Sequence, residues 1–312
     1  MIKINPLSTL YVGIDVSSKS NYVCALDFYK NKYINSSFAN NQPGAEELAQ
    51  KILECLKEHA DLNTVVAALE STSVYSIHIA NYLSSCEELM HMKPYVFVVN
   101  PKYTANYKKS FIGLGKSDPI DAFIIADYAR GGNIETEPWR GSQFLALKRL
   151  TRHRLHLVEC MTREKTYLVS NLYLKFSELQ MLEGENQPFC DIYGATSSSV
   201  LVEYLSPEEI IDSSEEDLVS FLAEKSRNRI KDISKTADLL KKAARDSYRL
   251  DKTLYEPLNV SIASSFNCIE TFKREIKTID QAIEREIKGL NPNAFIILQS
   301  IDGIGPVFAG GI

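Results

Sequence analysis

Short apolar runs separated by polar turns open the chain and predict three strands. Between Thr9 and Phe38 the runs are TLYVGIDVS, SNYVCALDFY and KYINSSF, which are rich in β-branched and aromatic residues. The polar pair Asn31-Lys32 marks a turn between the second and third runs. Pro43 then opens an amphipathic segment whose leucines and isoleucine recur at helical spacing. The sequence therefore predicts a three-stranded meander followed by a helix.

Strand and helix patterns alternate from there to about residue 139. A buried strand, TVVAALE, precedes the helical segment VYSIHIANYLSS, and a further strand, YVFVVN, ends at Asn100. A basic, glycine-containing loop is predicted from Lys102 to Lys116, and the helix DPIDAFIIADYARG follows it. The order β-β-β-α-β-α-β-α predicts an α/β domain with a mixed sheet and helices on its faces.

The remainder of the chain is predicted to be helical. Residues 142–180 have a long helical pattern, whereas residues 176–224 hold 12 acidic residues and no Lys or Arg, as expected of short surface helices. Apolar residues within 264–288 recur every three or four positions, close to a heptad seam. The seam is compatible with a helical hairpin and with a dimer zipper, so the sequence leaves both open.

Length and composition are those of a globular protein with more than one domain. The 312 residues exceed what one hydrophobic core comfortably organises, and 45% are hydrophobic and 24% charged. No run of about 18 uncharged apolar residues occurs, so we predict no membrane span. The N-terminus has no signal-peptide pattern, which predicts a cytoplasmic location. The six cysteines include no CxxC pair and predict no zinc site.

Positive charge is concentrated in one short window. The whole chain has a net charge of −5, but residues 140–175 carry 8 Lys or Arg against 2 Asp or Glu. A polyanion would therefore bind there, to the basic side chains and to the nearby Tyr167 and Tyr173. With Lys116 from the preceding domain, the candidate nucleic-acid-binding residues are Lys116, Lys148, Arg149, Arg152, Arg154, Arg163 and Lys165. The plainer alternative is a solvated helix face.

Four carboxylates are the candidate chemistry of the chain. Asp15 in YVGID and Glu70 in VVAALES each end an apolar strand, where a charge is costly unless it is paired or bound to metal. Asp118 and Asp121 lie three residues apart at the predicted helix start in KSDPIDA. Such residues have Cβ atoms about 5–6 Å apart and can serve one cluster. A pair of Mg²⁺ ions about 4 Å apart can clamp both reacting oxygens of a phosphodiester.

Each carboxylate also has a structural interpretation. Asp118 could be the N-cap of its helix, with Pro119 at the first helical position and Asp121 in the first turn. An acid at a strand end often only forms a turn. The order and placement of all four together favour a site for Mg²⁺ or Mn²⁺ formed by Asp15, Glu70, Asp118 and Asp121.

The chain resembles a known family at these residues and beyond them. The segments GID, ALESTSVY, NP followed by GKSDPIDA, and LQSIDGIGPVFA resemble the insertion-sequence transposases with a DEDD active site, several of which are bridge-RNA-guided DNA recombinases. The resemblance spans nearly all 312 residues. It implies a RuvC-like, RNase H-type domain, with the four carboxylates at its acidic positions. Ser73 departs from the pattern, since the family usually has glycine there.

The resemblance also implies parts and partners. In this family a C-terminal domain supplies a serine nucleophile, and QSIDGIGPVFAGGI resembles only the beginning of that domain. We therefore expect this chain not to carry out strand exchange. The expected partners are DNA and a guide RNA. We also expect the chain to form a dimer or tetramer through its helical region. The resemblance implies a bacterial, nucleoid-associated protein. We predict four regions. They are a RuvC-like domain at residues 1–140, a basic helical segment at 141–180, a helical region at 181–294 with a coiled coil at 264–288, and a truncated C-terminal domain at 295–312.

Three other functions stay open. A free-standing RuvC-like nuclease would use two metals and need no serine. A non-catalytic RNA-binding and dimerisation module would bind RNA without needing the carboxylates. A sugar- or acetate-kinase-like ATPase shares the three-stranded opening, but it also needs a second glycine-rich phosphate loop and an adenosine motif, and the sequence has neither.

Overall fold

The chain divides into two compact units. The structure, a computed structural model, describes residues 4–71, 73–92 and 94–309. The first unit is Met1–Ala146 and the second is Leu147–Ile312. The finer four-part division of the sequence stays a prediction.

A five-stranded mixed sheet organises the first unit. The strands lie in the order β3-β2-β1-β4-β5. β1 pairs antiparallel with β2, and β2 pairs antiparallel with β3. β4 lies parallel to both β1 and β5. The three strands of the meander thus form one side of the sheet, and the strands are β1 Thr9–Val16, β2 Ser20–Leu26, β3 Lys32–Ala39, β4 Thr64–Glu70 and β5 Tyr95–Val99.

Helices cover both faces of this sheet. The helices of the first unit are α1 Gln42–Glu58, α2 Tyr75–Ser85, α3 Glu87–Met90, α4 Pro101–Lys108 and α5 Asp118–Arg130. α1, α2 and α3 pack on the face formed by Leu10, Val12 and Ile14 of β1. α5 packs on the opposite face, where Tyr11 meets Ala122 and Ile125. The predicted class, a mixed sheet with flanking helices followed by a helical region, is confirmed, and it is consistent with a RuvC-like fold.

α4 corrects the prediction of a loop from Lys102 to Lys116. Asn100 caps this helix, because its side chain accepts a hydrogen bond from the backbone N–H of Lys102. Pro101 stands at the first helical position, where its fixed φ suits a helix and its missing N–H is not needed. The Asn-Pro pair therefore begins a helix, and the true loop is residues 109–117.

The chain is helical after Ser142, with short 3₁₀ turns near Glu178 and Glu185. The part of the chain that the structure describes contains no strand after β5. None of its helices is both long enough and apolar enough to cross a membrane. The helices are α6 Ser142–Lys175, α7 Ala195–Glu203, α8 Pro207–Asp212, α9 Glu215–Ser226, α10 Ile233–Asp246, α11 Lys252–Leu290, α12 Pro292–Gln299 and α13 Pro306–Ala309.

α6 and α11 form contacts along the heptad seam. Arg154 of α6 lies 2.5 Å from Asp280 of α11, and Glu164 of α6 accepts a 2.6 Å hydrogen bond from Ser265 of α11. Later residues of α6 thus meet earlier residues of α11, so the two helices run antiparallel. Ile283 is fully buried and packs in a cluster with residues of α6. Within one chain, therefore, part of the seam packs against the antiparallel helix α6; a coiled-coil dimer stays a prediction.

A buried lysine joins three elements of the second unit. The Lys175 side chain is 3% exposed, and its ammonium donates to the backbone oxygens of Leu201 and Tyr204 at 2.7 and 2.6 Å and to the side-chain oxygen of Asn259. Leu201 and Tyr204 lie at the C-terminal end of α7, where carbonyls lack helical partners and favour a positive charge. Burial lowers the pKa of Lys175 to about 8, so it stays mostly charged at pH 7.

Replacing Lys175 with methionine should destabilise the second unit. The change leaves three buried acceptors without a donor, and we expect a loss of about 3 kcal/mol in the free energy of unfolding. Urea unfolding followed by circular dichroism at 222 nm measures it. Lys277→Met on the exposed side of α11 is the control and should change the midpoint little. Equal midpoints for the two variants would contradict the role assigned to Lys175.

Candidate metal centre and nucleic-acid interface

Asp15 and Glu70 lie side by side at the ends of two parallel strands. Ile14 of β1 pairs with Leu69 of β4, and the two carboxylates are the next residue on each strand. Side chains alternate between the faces of a sheet, so Asp15 shares the α5 face with Tyr11. Glu70 lies on that same face with Val66 by the same alternation. Both acids are half-buried.

Gly13 lets α5 approach close enough to bring its acids to the strand ends. A Cβ atom at Gly13 would stand 2.2 Å from the carbonyl oxygen of Ala122 and 2.3 Å from the amide nitrogen of Ala126. No real side chain tolerates such distances, so only glycine permits this packing of helix on strand. The first turn of α5, with Asp118 and Asp121, is thereby carried to the end of the sheet where Asp15 lies.

The four carboxylates are close enough to act on one another electrostatically. The pKa of Asp15 is raised from 3.8 to about 6, first by burial and then by the negative charges of Glu70, Asp121 and Asp118. The ammonium of Lys108 acts in the opposite direction. The structure therefore brings the four acids predicted from the sequence into one charged neighbourhood, with Lys108 opposing them.

Asp118 does not cap its helix. Ser117 stands at the N-cap of α5, and its backbone oxygen accepts a 2.9 Å hydrogen bond from the backbone N–H of Asp121. Asp118 is the first helical residue and its side chain is exposed. The interpretation of Asp118 as an N-cap is wrong by one position, because the serine before it occupies that place. Its carboxylate stays available for a ligand.

α4 contributes two contacts to the carboxylates that the sequence did not reveal. The buried hydroxyl of Thr104 donates to Glu70 at 2.5 Å. One turn later, the ammonium of Lys108 lies 2.5 Å from a carboxylate oxygen of Asp121, with both side chains about one fifth exposed. A 3.6-residue period puts positions 104 and 108 on the same side of a helix. The signal that could have found them was the Asn-Pro helix start.

A buried acid holds α4 against α5. Asp127 of α5 has no exposed side-chain surface and accepts a 3.0 Å hydrogen bond from the hydroxyl of Tyr107 of α4. Burial alone would raise the pKa of Asp127, but hydrogen bonds from Arg130, Lys30 and Tyr107 lower it below its usual value. A charged, fully bonded Asp127 therefore ties the two helices together and sets Lys108 against Asp121.

The donor set suits a hard divalent cation, although the acids are not drawn tightly together. Among the described residues, no three His, Cys, Asp or Glu side chains lie close enough to hold one metal ion as they stand. The four carboxylates supply only oxygen, the ligand that Mg²⁺ and Mn²⁺ take in proteins. The ammonium of Lys108 already occupies one cation position beside Asp121. The donor chemistry therefore suits a divalent metal, which would bind only with the acids drawn closer together and Lys108 moved away from Asp121.

Ser73 adopts the backbone conformation that explains the family's usual glycine. Its φ is +55°, in the left-handed region that glycine enters without cost and other residues enter at about 1–2 kcal/mol. The residue lies three positions after Glu70. Ser73 adopts the same left-handed conformation that glycine favours. The turn after the strand end is therefore kept although the residue differs from the family pattern.

Only some of the basic residues in the window lie on an exposed face of α6. Lys148, Arg149, Arg152 and Arg163 are exposed, as is Lys116 in the first unit. Arg154 points instead to α11, where it pairs with Asp280. The ammonium of Lys165 lies 4.6 Å from the ring centre of Tyr193 and is half-buried. Four of the six predicted basic residues of this window are therefore free to meet a polyanion.

Histidine and tyrosine side chains continue this exposed face. Arg149, His153, His156, Arg163 and Tyr167 recur every three, four or seven residues, which keeps them on one side of the helix. The rings of His153 and His156 stack 6.2 Å apart, and Tyr167 is 57% exposed. At 1.5 Å per residue the face extends about 27 Å. We call these five residues and Arg152 the α6 basic face.

Replacing Gly13 with alanine should separate α5 from β1. The added methyl group must displace the helix backbone, and we expect a loss of about 3 kcal/mol in the free energy of unfolding together with weaker Mn²⁺ binding. The chain has one tryptophan, Trp139, and it lies in the first unit, so its fluorescence during urea unfolding reports on that unit alone.

Gly115→Ala is the matched control, since a Cβ atom at Gly115 meets nothing within 4 Å. A midpoint for Gly13→Ala equal to that of the control would contradict the close approach of α5 to β1.

Replacing Lys108 with methionine should tighten divalent-cation binding. The ammonium competes with a metal for Asp121, and a partly buried ion pair of this kind is worth about 1 kcal/mol, or roughly a fivefold change in the dissociation constant. Titration with Mn²⁺ followed by electron paramagnetic resonance measures free metal directly. Lys109→Met is the control, because the ammonium of Lys109 is exposed and hydrogen-bonds to the side chain of Asn106. Weaker Mn²⁺ binding by Lys108→Met would show instead that the lysine supports the metal site.

Comparisons with known proteins place the chain in a family. A family model described as a transposase, of the IS110 type with a DEDD site, matches residues 12–177, more than half of the chain. The pilin gene-inverting proteins of Moraxella lacunata and Moraxella bovis are each 29% identical to it over 160 residues, which are 51% of this chain and 46% of theirs. The match thus spans about half the length of these curated relatives. The four carboxylates lie within the matched residues, and the chain belongs to the IS110-type DEDD transposase family.

Proposed function

We propose that this chain acts in DNA transposition or recombination of an insertion sequence, guided by RNA and dependent on Mg²⁺ or Mn²⁺. The single observation that carries the proposal is the convergence of Asp15, Glu70 and the first turn of α5 at one end of the sheet, which strand register and the close packing at Gly13 produce. Acids from two strands and a helix converge there, and a folded protein keeps such like charges together at a cost in stability. A bound cation would neutralise these charges and offset that cost.

Asp15, Glu70, Asp118 and Asp121 would hold the metal. When bound, the metal would polarise a phosphodiester and stabilise the charge on its attacking and leaving oxygens. Two residues of the chain position these carboxylates. Thr104 fixes one oxygen of Glu70 by its hydrogen bond, and Gly13 keeps α5 close to the strand ends. Lys108, once released from Asp121, would be a cation beside the bound phosphate.

The α6 basic face would bind nucleic acid. Lys and Arg neutralise phosphates and release counterions, whereas exposed tyrosine and histidine rings can stack on unpaired bases. The mixture of charge and rings favours an RNA with loops or single strands as one ligand, with DNA as the other. Arg154 and Lys165 already have partners within the chain, so they contribute less than the four exposed basic residues of the window.

The names of the relatives support a role in DNA rearrangement. Two Moraxella proteins that match the chain are named for inverting pilin genes. Their match covers about half of this chain, so the same activity is a proposal for it. A dimer or tetramer stays a prediction.

A plasmid assay tests the catalytic part of the proposal and its first alternative. The purified protein is incubated with supercoiled plasmid and Mg²⁺, beside Asp15→Asn as the variant without the central acid. We expect neither protein to relax the plasmid without its guide RNA and partner DNA. Mg²⁺-dependent nicking by the wild type that Asp15→Asn abolishes would establish a free-standing nuclease in place of the proposed recombinase.

An RNA-binding assay tests the nucleic-acid part. RNA that co-purifies from the native host is sequenced, transcribed and titrated against wild type and a triple variant, Arg149→Ala, Arg152→Ala and Arg163→Ala. We expect one discrete non-coding RNA, affinity reduced at least tenfold in the variant, and a salt slope about two units lower. The control triple variant removes three exposed charges elsewhere, at Lys242, Arg245 and Lys277. Equal RNA affinities for the two triple variants would refute the assignment to the α6 basic face.

A further inference from the structure

The loop between α4 and α5 presents an unsupported apolar tip. In residues 109–117 the side chain of Ile112 is fully exposed, and its neighbour Leu114 is 39% exposed. Gly113 has a φ of +82°, and a Cβ atom there or at Gly115 would meet nothing within 4 Å. The two glycines thus leave Ile112 projecting from the protein with open space beside it. Burying such an exposed apolar side chain against an apolar partner lowers the free energy of the complex.

Positive charge surrounds this tip. Residues 102–117 contain four of the 12 Lys and Arg residues of the range 1–139 and none of its 15 Asp and Glu residues. Lys109 and Lys116 flank the tip directly and are exposed. The rest of that range is strongly acidic, so this segment is where the first unit is complementary to a polyanion. An apolar partner for Ile112 is therefore expected to carry negative charge around it.

Both ends of the loop lie at the carboxylates. Lys108, the residue before the loop, contacts Asp121, and Asp118 is the residue after it. Ile112 is four residues from one end and six from the other. At no more than about 3.5 Å per residue, its tip reaches at most about 14 Å from Lys108. A phosphate held at the carboxylates would therefore have its neighbouring base pairs, about 3.4 Å apart, within reach of Ile112.

We propose that Ile112 is a wedge that inserts between base pairs of the DNA held at the carboxylate site. The chemistry of the partner follows from the contacts: stacked bases offer an apolar slot, and the phosphates on either side offer negative charge to Lys109 and Lys116. Apolar side chains inserted at a base step unstack it and kink the duplex. The kink exposes the backbone close to the metal ligands. The inference rests on the proposed function, since it takes DNA to be the molecule at the carboxylates.

Fluorescence of 2-aminopurine tests the wedge. The probe is a 20-base-pair duplex with 2-aminopurine at several adenine positions, whose fluorescence rises when stacking is lost. Saturating wild-type protein, loaded with its co-purifying RNA and Mg²⁺, should raise the fluorescence at least twofold. Ile112→Ser should bind the duplex within about threefold of wild type, as measured by anisotropy, yet leave the fluorescence near that of free DNA, whereas Ile112→Leu should restore the rise.

Leu7→Ser is the matched control. Leu7 is 55% exposed and precedes β1, at the opposite end of that strand from Asp15, so its variant should behave as wild type. Equal fluorescence for bound wild type and bound Ile112→Ser overturns the wedge and leaves the proposed function standing. No binding of duplex by wild type loaded with its co-purifying RNA and Mg²⁺ overturns both. A dimer that Ile112→Ser converts to monomer, measured by light scattering, overturns the wedge in favour of a protein contact.

Discussion

The close approach of α5 to β1 at Gly13 is the constraint on which the rest of the candidate site depends. A side chain at this position would overlap the backbone of Ala122 and Ala126, so the absence of a Cβ atom fixes how deep the helix can lie. The depth of the helix decides where its first turn ends. With α5 at this distance, Asp118 and Asp121 face the ends of β1 and β4, where strand register has already placed Asp15 and Glu70.

The site that results sets a cluster of like charges against the ammonium of Lys108. Burial and three neighbouring acids raise the pKa of Asp15 to about 6, which means that the folded chain holds a proton there more tightly than the unfolded chain. The stabilisation from this group is full at pH values below about 4 and is lost as the pH rises through about 6. Near neutral pH Asp15 is therefore ionised at a cost in stability, and a bound divalent cation would offset that cost. Lys108 opposes these charges through a direct ion pair with Asp121 and a weaker effect on Asp15.

Much of the fold could be predicted because its signals are local. The apolar runs of β1, β4 and β5 and the spacing of α1 and α5 follow from burial on one or two faces, and they are confirmed. α4 was missed because few of its residues are apolar; only Thr104 is buried, and the helix is held by its Asn-Pro start and by polar contacts to Glu70, Asp121 and Asp127. Short helices without an apolar stripe leave no periodic pattern to detect.

The candidate site was predictable in its acids and not in its other residues. An acid at the end of an apolar strand is a conspicuous exception, so Asp15 and Glu70 can be identified from sequence. The sequence does not show which basic residues are free, because that depends on distant partners. Arg154 is neutralised by Asp280, 126 residues later, and Lys175 is buried at the end of α7. Such pairings arise when α6 packs against α11, and charge counts along the sequence do not contain them.

The most direct test of this account is a titration of the metal-free protein with Mn²⁺, monitored by electron paramagnetic resonance. Wild type should bind the ion saturably at neutral pH, and Asp15→Asn and Asp121→Asn should each weaken that binding at least tenfold, because each removes a charge from the shared cluster. Asp191→Asn, which removes an acid from the second unit, should bind as wild type does. Mn²⁺ binding that is absent from wild type, or that neither variant of the cluster weakens, would contradict the assignment of these four carboxylates to a metal centre.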